Sequence, residues 1–310
     1  MPKYRIIANP IAGRGASYRH IAEVRTLMSD YGLDFDIVCT ERPWHAAQLA
    51  EDAVASGCQV VVALGGDGTV NEIVNGLMHA RQAGIGSATL GILCAGGGND
   101  FAYGVGIPQD IPAGCRALAE LQRQTVDIGR FTGGLYPEGR YVANGVGIGF
   151  DATVAIETLK IKRIRGFLAY AIAAVKTIFL YYRAPNVRVE WDGQTRTQRL
   201  LMISAMNGKR MGGGFLMAPN GQANDGLLDL LLAHEVSRAR MFPLILHFMR
   251  GTQATQEPIW MGHARHIVIT ALDGVLPAHA DGEILCTDAT RIELELLPQQ
   301  IEIVAAPREG

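Results

Sequence analysis

The stretch at residues 60–72, VVVALGGDGTVNE, carries a strand-like run directly into a glycine turn and the start of a helical pattern. Residues 60–64 are apolar and mostly β-branched, which is typical of a buried strand. After the turn, apolar residues recur at helical spacing at Val70, Ile73, Val74 and Leu77. The free N–H groups and the positive end of a helix that begins here favour a phosphate group.

Asp67 lies within this turn, where its negative charge would repel a phosphate. A carboxylate beside phosphates is useful if it holds Mg²⁺ or activates a nucleophile. A tight turn in which Asp67 simply caps the helix is an equally weighted interpretation from local physics alone. The stretch therefore predicts strand, turn and helix, and leaves the role of the carboxylate open.

The first third of the chain repeats the same alternation of strand and helix. Strand-like runs at residues 4–8, 35–38, 60–64 and 89–93 are separated by helical patterns. This order predicts a mostly parallel sheet flanked by helices. Glycine loops follow two more of these runs, at residues 9–15 and 96–100, and loops at the carboxyl ends of parallel strands are where ligands bind. Arg14 in the first loop is suited to pair with a phosphate, although an exposed Arg is more often merely solvated.

After about Asp127 the pattern changes to extended, alternating segments separated by turn signals such as Asp192-Gly193. The segments lie at residues 141–146, 187–191, 200–205, 227–232, 266–270 and 291–296. They predict an antiparallel, β-rich, sandwich-like domain, with helices inserted near residues 156–182 and 237–249. We therefore expect an α/β domain at residues 1–127, to which residues 298–306 return, and a β-rich domain at residues 128–297.

Composition excludes several classes of protein. The chain has 310 residues and a net charge of -2, so no basic field suggests nucleic-acid binding. Its five cysteines are scattered singly, which argues against a zinc site and favours a reducing compartment. Residues 1–7 lack the apolar stretch and small-residue cleavage site of a signal peptide, so we expect none, and the apolar residues 166–182, interrupted by Lys176, are short for a spanning helix. We expect a cytoplasmic protein without a transmembrane segment.

Two common nucleotide-binding motifs are absent from the sequence. No Gly-x-x-x-x-Gly-Lys-Ser/Thr motif is present, so the chain is not a P-loop protein. No Gly-x-Gly-x-x-Gly follows a strand, which weakens a dehydrogenase interpretation.

Two acidic motifs lie in the second half of the chain. Residues 219–227 form either a turn or a cation loop using Asp225, and the turn is favoured; Asp281-Gly282-Glu283 is a good hairpin turn.

Taken in order, these motifs resemble the bacterial diacylglycerol-kinase-like lipid kinases, which are relatives of sphingosine and ceramide kinases. The resemblance covers nearly the whole chain. It rests on Asn9-Pro10 with Gly13, Thr40, Gly65-Gly66-Asp67-Gly68-Thr69 with Asn71-Glu72, Gly98-Asn99-Asp100-Phe101-Ala102, Val126-Asp127-Ile128-Gly129, Asn144-Gly145-Val146-Gly147-Ile148-Gly149-Phe150-Asp151, Asp225-Gly226-Leu227-Leu228-Asp229 and Asp281-Gly282-Glu283. The Gly-Gly-Asp-Gly motif is shared with NAD kinases and phosphofructokinases, so the ordered set carries the identification.

The resemblance implies ATP as the phosphoryl donor and Mg²⁺ as the metal. It implies that the β-rich domain binds lipid. It implies that Asp67, Asp100 and Asp127 organise Mg²⁺ around ATP, and that Glu283, helped by Asp281, accepts the proton of the lipid hydroxyl. Asp225, with the carbonyls of Gln222 and Leu227, would hold a structural Mg²⁺. The nucleotide contacts that it implies are Asn9, Gly13, Arg14, Thr40, Gly65, Gly66, Gly68, Thr69, Asn71, Gly96, Gly97, Gly98 and Asn99.

The chain departs from the family pattern at three positions. Gly97 stands where the family usually has Thr, so one hydroxyl contact to the nucleotide is missing. Cys94 stands where Pro is frequent and Tyr103 where a basic residue is frequent. These changes put nucleotide affinity and nucleotide choice in question without removing any carboxylate.

We predict an ATP- and Mg²⁺-dependent lipid kinase that phosphorylates the hydroxyl of a diacylglycerol-like or related lipid. The alternatives are an NAD-kinase-like phosphotransferase and a catalytically weak regulator that binds nucleotide or lipid. The expected partner is a lipid substrate at a membrane surface, reached peripherally from the inner face. The basic run at residues 160–165 would face anionic headgroups or form a solvated basic face. The identity of the lipid and a homodimeric state are left open.

Overall fold

The computed structural model describes residues 3–161 and 167–305. The chain divides into two compact units. The first contains the chain up to Asp127 and again from Gln299, and the second contains Ile128–Pro298.

The first unit is built on parallel strands flanked by helices. Its strands are β1 (Tyr4–Ala8), β2 (Phe35–Cys39), β3 (Val60–Gly65) and β4 (Thr89–Cys94). Its helices are α1 (Ala16–Asp30), α2 (His45–Ala55), α3 (Asp67–Gln82), α4 (Asp100–Gly104) and α5 (Ile111–Glu120). The strands lie in the order β2-β1-β3-β4, and every pairing among them is parallel. The predicted parallel α/β architecture is confirmed.

The packing of helices against the parallel strands follows from which side chains are buried. All six residues of β3 are buried, as expected for a central strand of a sheet covered on both faces. Val24 and Met28 of α1 and Leu118 of α5 pack with Ile6 and Leu64 on one face of the sheet. Helix α3 begins at Asp67, three residues before the apolar pattern that predicted it.

The second unit is β-rich. Its strands are β5 (Arg123–Gly133, which begins in the first unit), β6 (Tyr136–Val142), β7 (Gly145–Gly149), β8 (Asn186–Trp191), β9 (Gln194–Met206), β10 (Leu228–His234), β11 (Ile259–Ala264), β12 (His266–Ala271), β13 (Leu276–Ala280), β14 (Glu283–Ala289) and β15 (Arg291–Val304, which ends in the first unit). Its helices are α6 (Phe150–Leu159), α7 (Phe167–Leu180) and α8 (Arg238–Arg250). Strand β15 pairs antiparallel with β12, and its end pairs in parallel with β4 where Ile303 lies opposite Leu90.

The long strand β9 belongs to two antiparallel sheets. Its first half pairs with β8, whereas its second half pairs with β7 and β10. Buried side chains from both sheets form one apolar cluster, which includes Trp191 and Ile269 from one sheet and Ile148, Ile203 and Leu230 from the other. This is the predicted sandwich-like, antiparallel architecture.

One local prediction was wrong. The run at residues 141–146 is not one strand, because it breaks between β6 and β7. The N–H groups of Ala143 and Asn144 at this break donate to the carboxylate of Asp281 rather than to a neighbouring strand. The insert near residues 156–182 contains the two helices α6 and α7, and residues 162–166, which include most of the predicted basic run, lie outside the described part of the chain.

Candidate functional site

In the first unit, the loops that follow β1, β3 and β4 contact one another. The side-chain nitrogen Nδ2 of Asn9 donates to Oγ1 of Thr69 over 3.2 Å. Gly66 and Gly96 meet backbone to backbone, so closely that a Cβ on Gly96 would overlap the Cα of Gly66. Only glycine fits at this contact. The structure therefore brings three of the predicted glycine loops together at the carboxyl edge of the parallel strands.

The loop after β4 is shaped by Asn99. This residue adopts the left-handed conformation, with φ 54°, at the start of α4. Its Oδ1 accepts a hydrogen bond from the N–H of Gly96 over 3.2 Å. Gly97 at the tip of the loop is exposed, and an added Cβ there would meet no atom within 4 Å. The loop is thus fixed at its two ends and open at Gly97.

The other residues that were predicted to contact the nucleotide differ in burial, since some are exposed and others are fully buried. Thr40 directly follows β2, and its N–H donates to the carbonyl of Ala8 over 2.9 Å. Gly13 lies against the carbonyl of Ala95, and Arg14 beside it is exposed. Asn71 is fully buried within α3, and its carbonyl accepts from Nδ2 of Asn75. Gly65 and Gly68 flank the start of α3.

Two carboxylates converge beside Gly98. A Cβ added to Gly98 would lie 2.9 Å from Oδ2 of Asp67 and 3.5 Å from Oδ2 of Asp100. The other oxygen of Asp67 accepts the backbone N–H of Phe101 over 3.2 Å, which ties the start of α3 to α4. Paired carboxylates repel one another unless a cation lies nearby, and Mg²⁺ is usually bound by one or two carboxylates together with phosphates. This cradle therefore fits a magnesium ion on a nucleotide.

Asp127, the third predicted ligand, is fully buried in β5. Its Oδ1 accepts the backbone N–H of Gln299 over 2.7 Å, where the chain re-enters the first unit. Across residues 3–161 and 167–305, no three His, Cys, Asp or Glu side chains are grouped as a metal site.

In the second unit, Asp281 and Glu283 flank the turn of the β13–β14 hairpin. Asp281 and Gly282 both have positive φ, 48° and 86°, which matches the predicted hairpin turn. The buried carboxylate of Asp281 accepts the N–H groups of Ala143, Asn144 and Gly145 at 2.9, 3.2 and 3.3 Å. Burial raises the pKa of Asp281 to about 6, against the opposing effect of these hydrogen bonds and of the Arg140 charge.

Glu283 is held by a cation that the sequence did not reveal. Its Oε2 forms an ion pair with Arg140, whose side chain is only 1% exposed, whereas that of Glu283 is 31% exposed. Arg140 also donates to the hydroxyl of Tyr136 over 3.0 Å. Glu283 is thus anchored on one side and accessible to solvent on the other.

A second acidic pair is formed by Asp225 in the loop before β10 and Asp229 in β10. Oδ1 of Asp225 accepts the N–H of Leu227 over 3.0 Å, which is the turn that the sequence favoured, and the side chain of Gln222 is exposed. The pKa of Asp229 is raised to about 6, mainly by burial and to a smaller extent by the Asp225 charge, while His263 opposes this increase. Asp229 belongs to the Asp225-Gly226-Leu227-Leu228-Asp229 motif, although sequence reasoning assigned it no role.

An apolar cavity lies between the helices and the β9–β10 sheet of the second unit. Its accessible volume is about 70 Å³. Its walls include Met202, Met211, Met217 and Met241 together with residues of α6, α7 and α8. Asp151 contributes a carboxylate to the wall, and its Oδ2 lies 3.0 Å from Nε2 of the buried His279. Because these residues are scattered along the chain, no spacing pattern predicted that they share one cavity.

None of the helices in the described ranges has both the length and the apolar character needed to cross a bilayer.

Comparisons with known proteins agree along the chain. Residues 3–131 match the family described as the diacylglycerol kinase catalytic domain. Residues 144–305 match the family described as the YegS C-terminal NAD kinase beta sandwich-like domain. A diacylglycerol kinase from Bacillus subtilis (strain 168) is 27% identical over 285 residues, which is 91% of this chain and 90% of that protein.

Solved structures share the fold at lower identity. A diacylglycerol kinase from Bacillus anthracis str. Sterne superposes with a TM-score of 0.74 at 22% identity, covering 99% of this chain and 97% of that one. An NAD kinase from Archaeoglobus fulgidus, solved in complex with ATP, gives a TM-score of 0.55 at 12% identity, covering 98% and 94%.

Proposed function

Because this chain belongs to the diacylglycerol-kinase-like family, whose members are kinases that use a nucleotide, we propose that it transfers the γ-phosphoryl group of ATP to the hydroxyl of a diacylglycerol-like lipid. The observation that carries the lipid acceptor is the apolar cavity of the second unit. The cavity offers only about 70 Å³ of accessible space, but its wall is rich in flexible methionine side chains, which suit an acyl chain better than a polar dinucleotide.

We assign the phosphates of ATP to the glycine loops of the first unit. Loop backbone N–H groups and the start of α3 would hydrogen-bond the phosphate oxygens. Asp67 and Asp100, the two carboxylates beside Gly98, would hold Mg²⁺ on these phosphates. When bound, this ion neutralises phosphate charge and orients the γ-phosphoryl group.

We assign the role of proton acceptor to Glu283. The lipid hydroxyl would lose its proton to the Glu283 carboxylate as its oxygen forms a bond to the γ-phosphorus. The bond from the γ-phosphorus to the bridging oxygen then breaks, and ADP leaves with that electron pair. Arg140 would orient Glu283 through the ion pair, and Asp281 would position it by fixing the hairpin turn on residues 143–145. Such general-base help is worth about 10²–10⁴-fold in rate.

We assign the loop before β10 to a structural Mg²⁺. Asp225 and the carbonyls of Gln222 and Leu227 would supply oxygen ligands, as the family resemblance implies. The pKa of Asp229 is raised mainly by burial, and the nearby charge of Asp225 contributes a smaller increase, so a cation at this loop would offset the repulsion between the two carboxylates.

The test is transfer from γ-labelled ATP to dioleoylglycerol in detergent micelles with Mg²⁺. Wild-type protein should form a labelled phospholipid, and Asp67→Asn should reduce its turnover by at least about a hundredfold, since misplaced reacting groups cost that much. Asp30→Asn, which changes an exposed carboxylate at the end of α1, is the matched control and should behave as wild type. Asp67→Asn activity above a tenth of wild type would contradict the assignment.

A further inference from the structure

Two helices of the second unit carry apolar side chains on the face that points away from the core. On α7 these are Leu168, Ile172, Val175 and Phe179, which are 41–59% exposed. On α8 they are Phe242, Leu246 and Met249, which are 39–50% exposed. Within each helix the spacing of three and four residues places the set on one side. The rings of Phe179 and Phe242 lie 6.0 Å apart and join the two sets into one surface, here called the α7–α8 face.

The opposite sides of the same helices line the apolar cavity. Ala174 of α7 and Met241, Leu244 and Phe248 of α8 are among its walls. Helix α7 is therefore apolar on both sides, although residues 3–161 and 167–305 leave its α7–α8 face exposed. An exposed apolar surface of this kind marks a site of interaction.

Positive charge surrounds the α7–α8 face. Apart from residues 162–166, the segments 159–184 and 237–250 together contain six Lys and Arg residues and no Asp or Glu, although the whole chain has a net charge of -2. Among the described residues of these segments, Lys160, Lys176, Arg183, Arg238, Arg240 and Arg250 are exposed. Glu157 pairs with Lys160 and Lys176, and Glu257 pairs with Arg240, so a positive surplus remains.

We propose that the α7–α8 face docks onto the surface of an anionic lipid bilayer. Phe, Leu and Ile side chains would enter the boundary between headgroups and acyl chains, and the flanking cations would bind anionic headgroups. The proposal rests on the proposed function, to which it adds the membrane partner: the two helices would stand between the bilayer and the cavity. A second copy of the chain is a poorer occupant, since a two-fold interface would bring the same positive charges together.

The primary test is co-sedimentation with vesicles of phosphatidylglycerol and phosphatidylcholine. Wild-type protein should bind anionic vesicles, and at least tenfold less to pure phosphatidylcholine. The double variant Phe179→Ser plus Phe242→Ser should lose at least tenfold in binding to anionic vesicles. Leu135→Ser plus Leu272→Ser, which removes two exposed apolar side chains elsewhere in the second unit, should bind as wild type. Equal binding by both double variants would overturn the proposal.

A second measurement does not depend on the folding of the serine variant. An environment-sensitive fluorophore on Leu246→Cys, in a Cys39→Ser background that removes the exposed native thiol, should shift to the blue with anionic vesicles. The same label on Leu135→Cys should not shift. Absence of a shift at residue 246 would refute docking through this face.

Micelle assays separate this proposal from the proposed function. If the Phe179→Ser plus Phe242→Ser variant phosphorylates dioctanoylglycerol in micelles as wild type does but fails on vesicles, docking is supported. If wild type transfers phosphate in micelles and never binds vesicles, docking fails and the kinase function stands. If the protein binds vesicles but transfers phosphate to no lipid, the kinase function fails and docking stands. Dimers in sedimentation velocity that the double variant abolishes, without vesicle binding, would assign the face to a second copy.

Discussion

Adding one methyl group at Gly98 tests the carboxylate cradle. In Gly98→Ala the new Cβ would lie 2.9 Å from Oδ2 of Asp67, whereas ordinary contacts begin near 3.4 Å. The Asp67 oxygen must therefore withdraw by about 0.5 Å. It has little freedom to do so, because its other oxygen is bonded to the N–H of Phe101. Gly98 is not among the glycines with positive φ, so alanine introduces no backbone strain.

The displacement is large for a magnesium ligand. Mg²⁺ requires near-ideal geometry with oxygens at about 2.0–2.1 Å, so a shift of this size should weaken metal positioning. We expect kcat/KM for ATP to fall by about 10–100-fold, which corresponds to about 1.4–2.7 kcal/mol of transition-state stabilisation. The free energy of unfolding should fall by roughly 1 kcal/mol or less, since one side chain near the surface absorbs the change.

The adjacent residue supplies the control. An added Cβ at Gly97 meets nothing within 4 Å, so Gly97→Ala should stay within twofold of wild type. The assay is steady-state phosphoryl transfer over an ATP and Mg²⁺ series, with thermal unfolding of each variant. Equal activity of Gly97→Ala and Gly98→Ala would refute the idea that Asp67 and Asp100 act together beside Gly98.

Three further predictions concern other parts of the chain. Gly97→Thr fits the open space at the loop tip and should tighten ATP binding by up to ~1.5 kcal/mol in calorimetry, the worth of one hydrogen bond; unchanged binding would mean that the hydroxyl does not reach the nucleotide. Asp281 has a pKa raised from 3.8 to about 6 in the fold, so its contribution to stability is present below about pH 4 and is lost as pH rises through 6, by on the order of 3 kcal/mol. Urea unfolding should show this slope in wild type and not in Asp281→Asn, and parallel profiles would contradict the burial argument. The melting temperature of wild type should rise with Mg²⁺ in the absence of ATP, and Asp225→Asn should lose that rise. Identical responses of the two proteins would show that Asp225 does not hold the metal.

Much of the architecture was predictable because it depends on local patterns. The apolar runs at residues 4–8 and 60–64 became β1 and β3, since a β-branched run of this length suits a central strand. The hairpin turn at Asp281-Gly282 followed from residues that tolerate positive φ. The meeting of the glycine loops followed from the parallel order of the strands.

The rest depends on contacts between residues far apart in the chain. Arg140 and Glu283 are 143 residues apart, so no spacing rule links them. The break after β6 arises because the amides of Ala143 and Asn144 bond to Asp281, whose position is set only by folding. Asp229 lies in a recognised motif, yet its raised pKa comes from burial and from Asp225 together.

The most direct test of the central claim is a competition between acceptors. The purified chain is incubated with γ-labelled ATP, Mg²⁺, dioleoylglycerol in micelles and NAD, and the labelled products are separated by chromatography. The proposed function predicts that label enters a phospholipid, that NAD stays unlabelled, and that Asp67→Asn and Glu283→Gln both suppress the labelled lipid. Label in NADP, or release of inorganic phosphate alone, would contradict it.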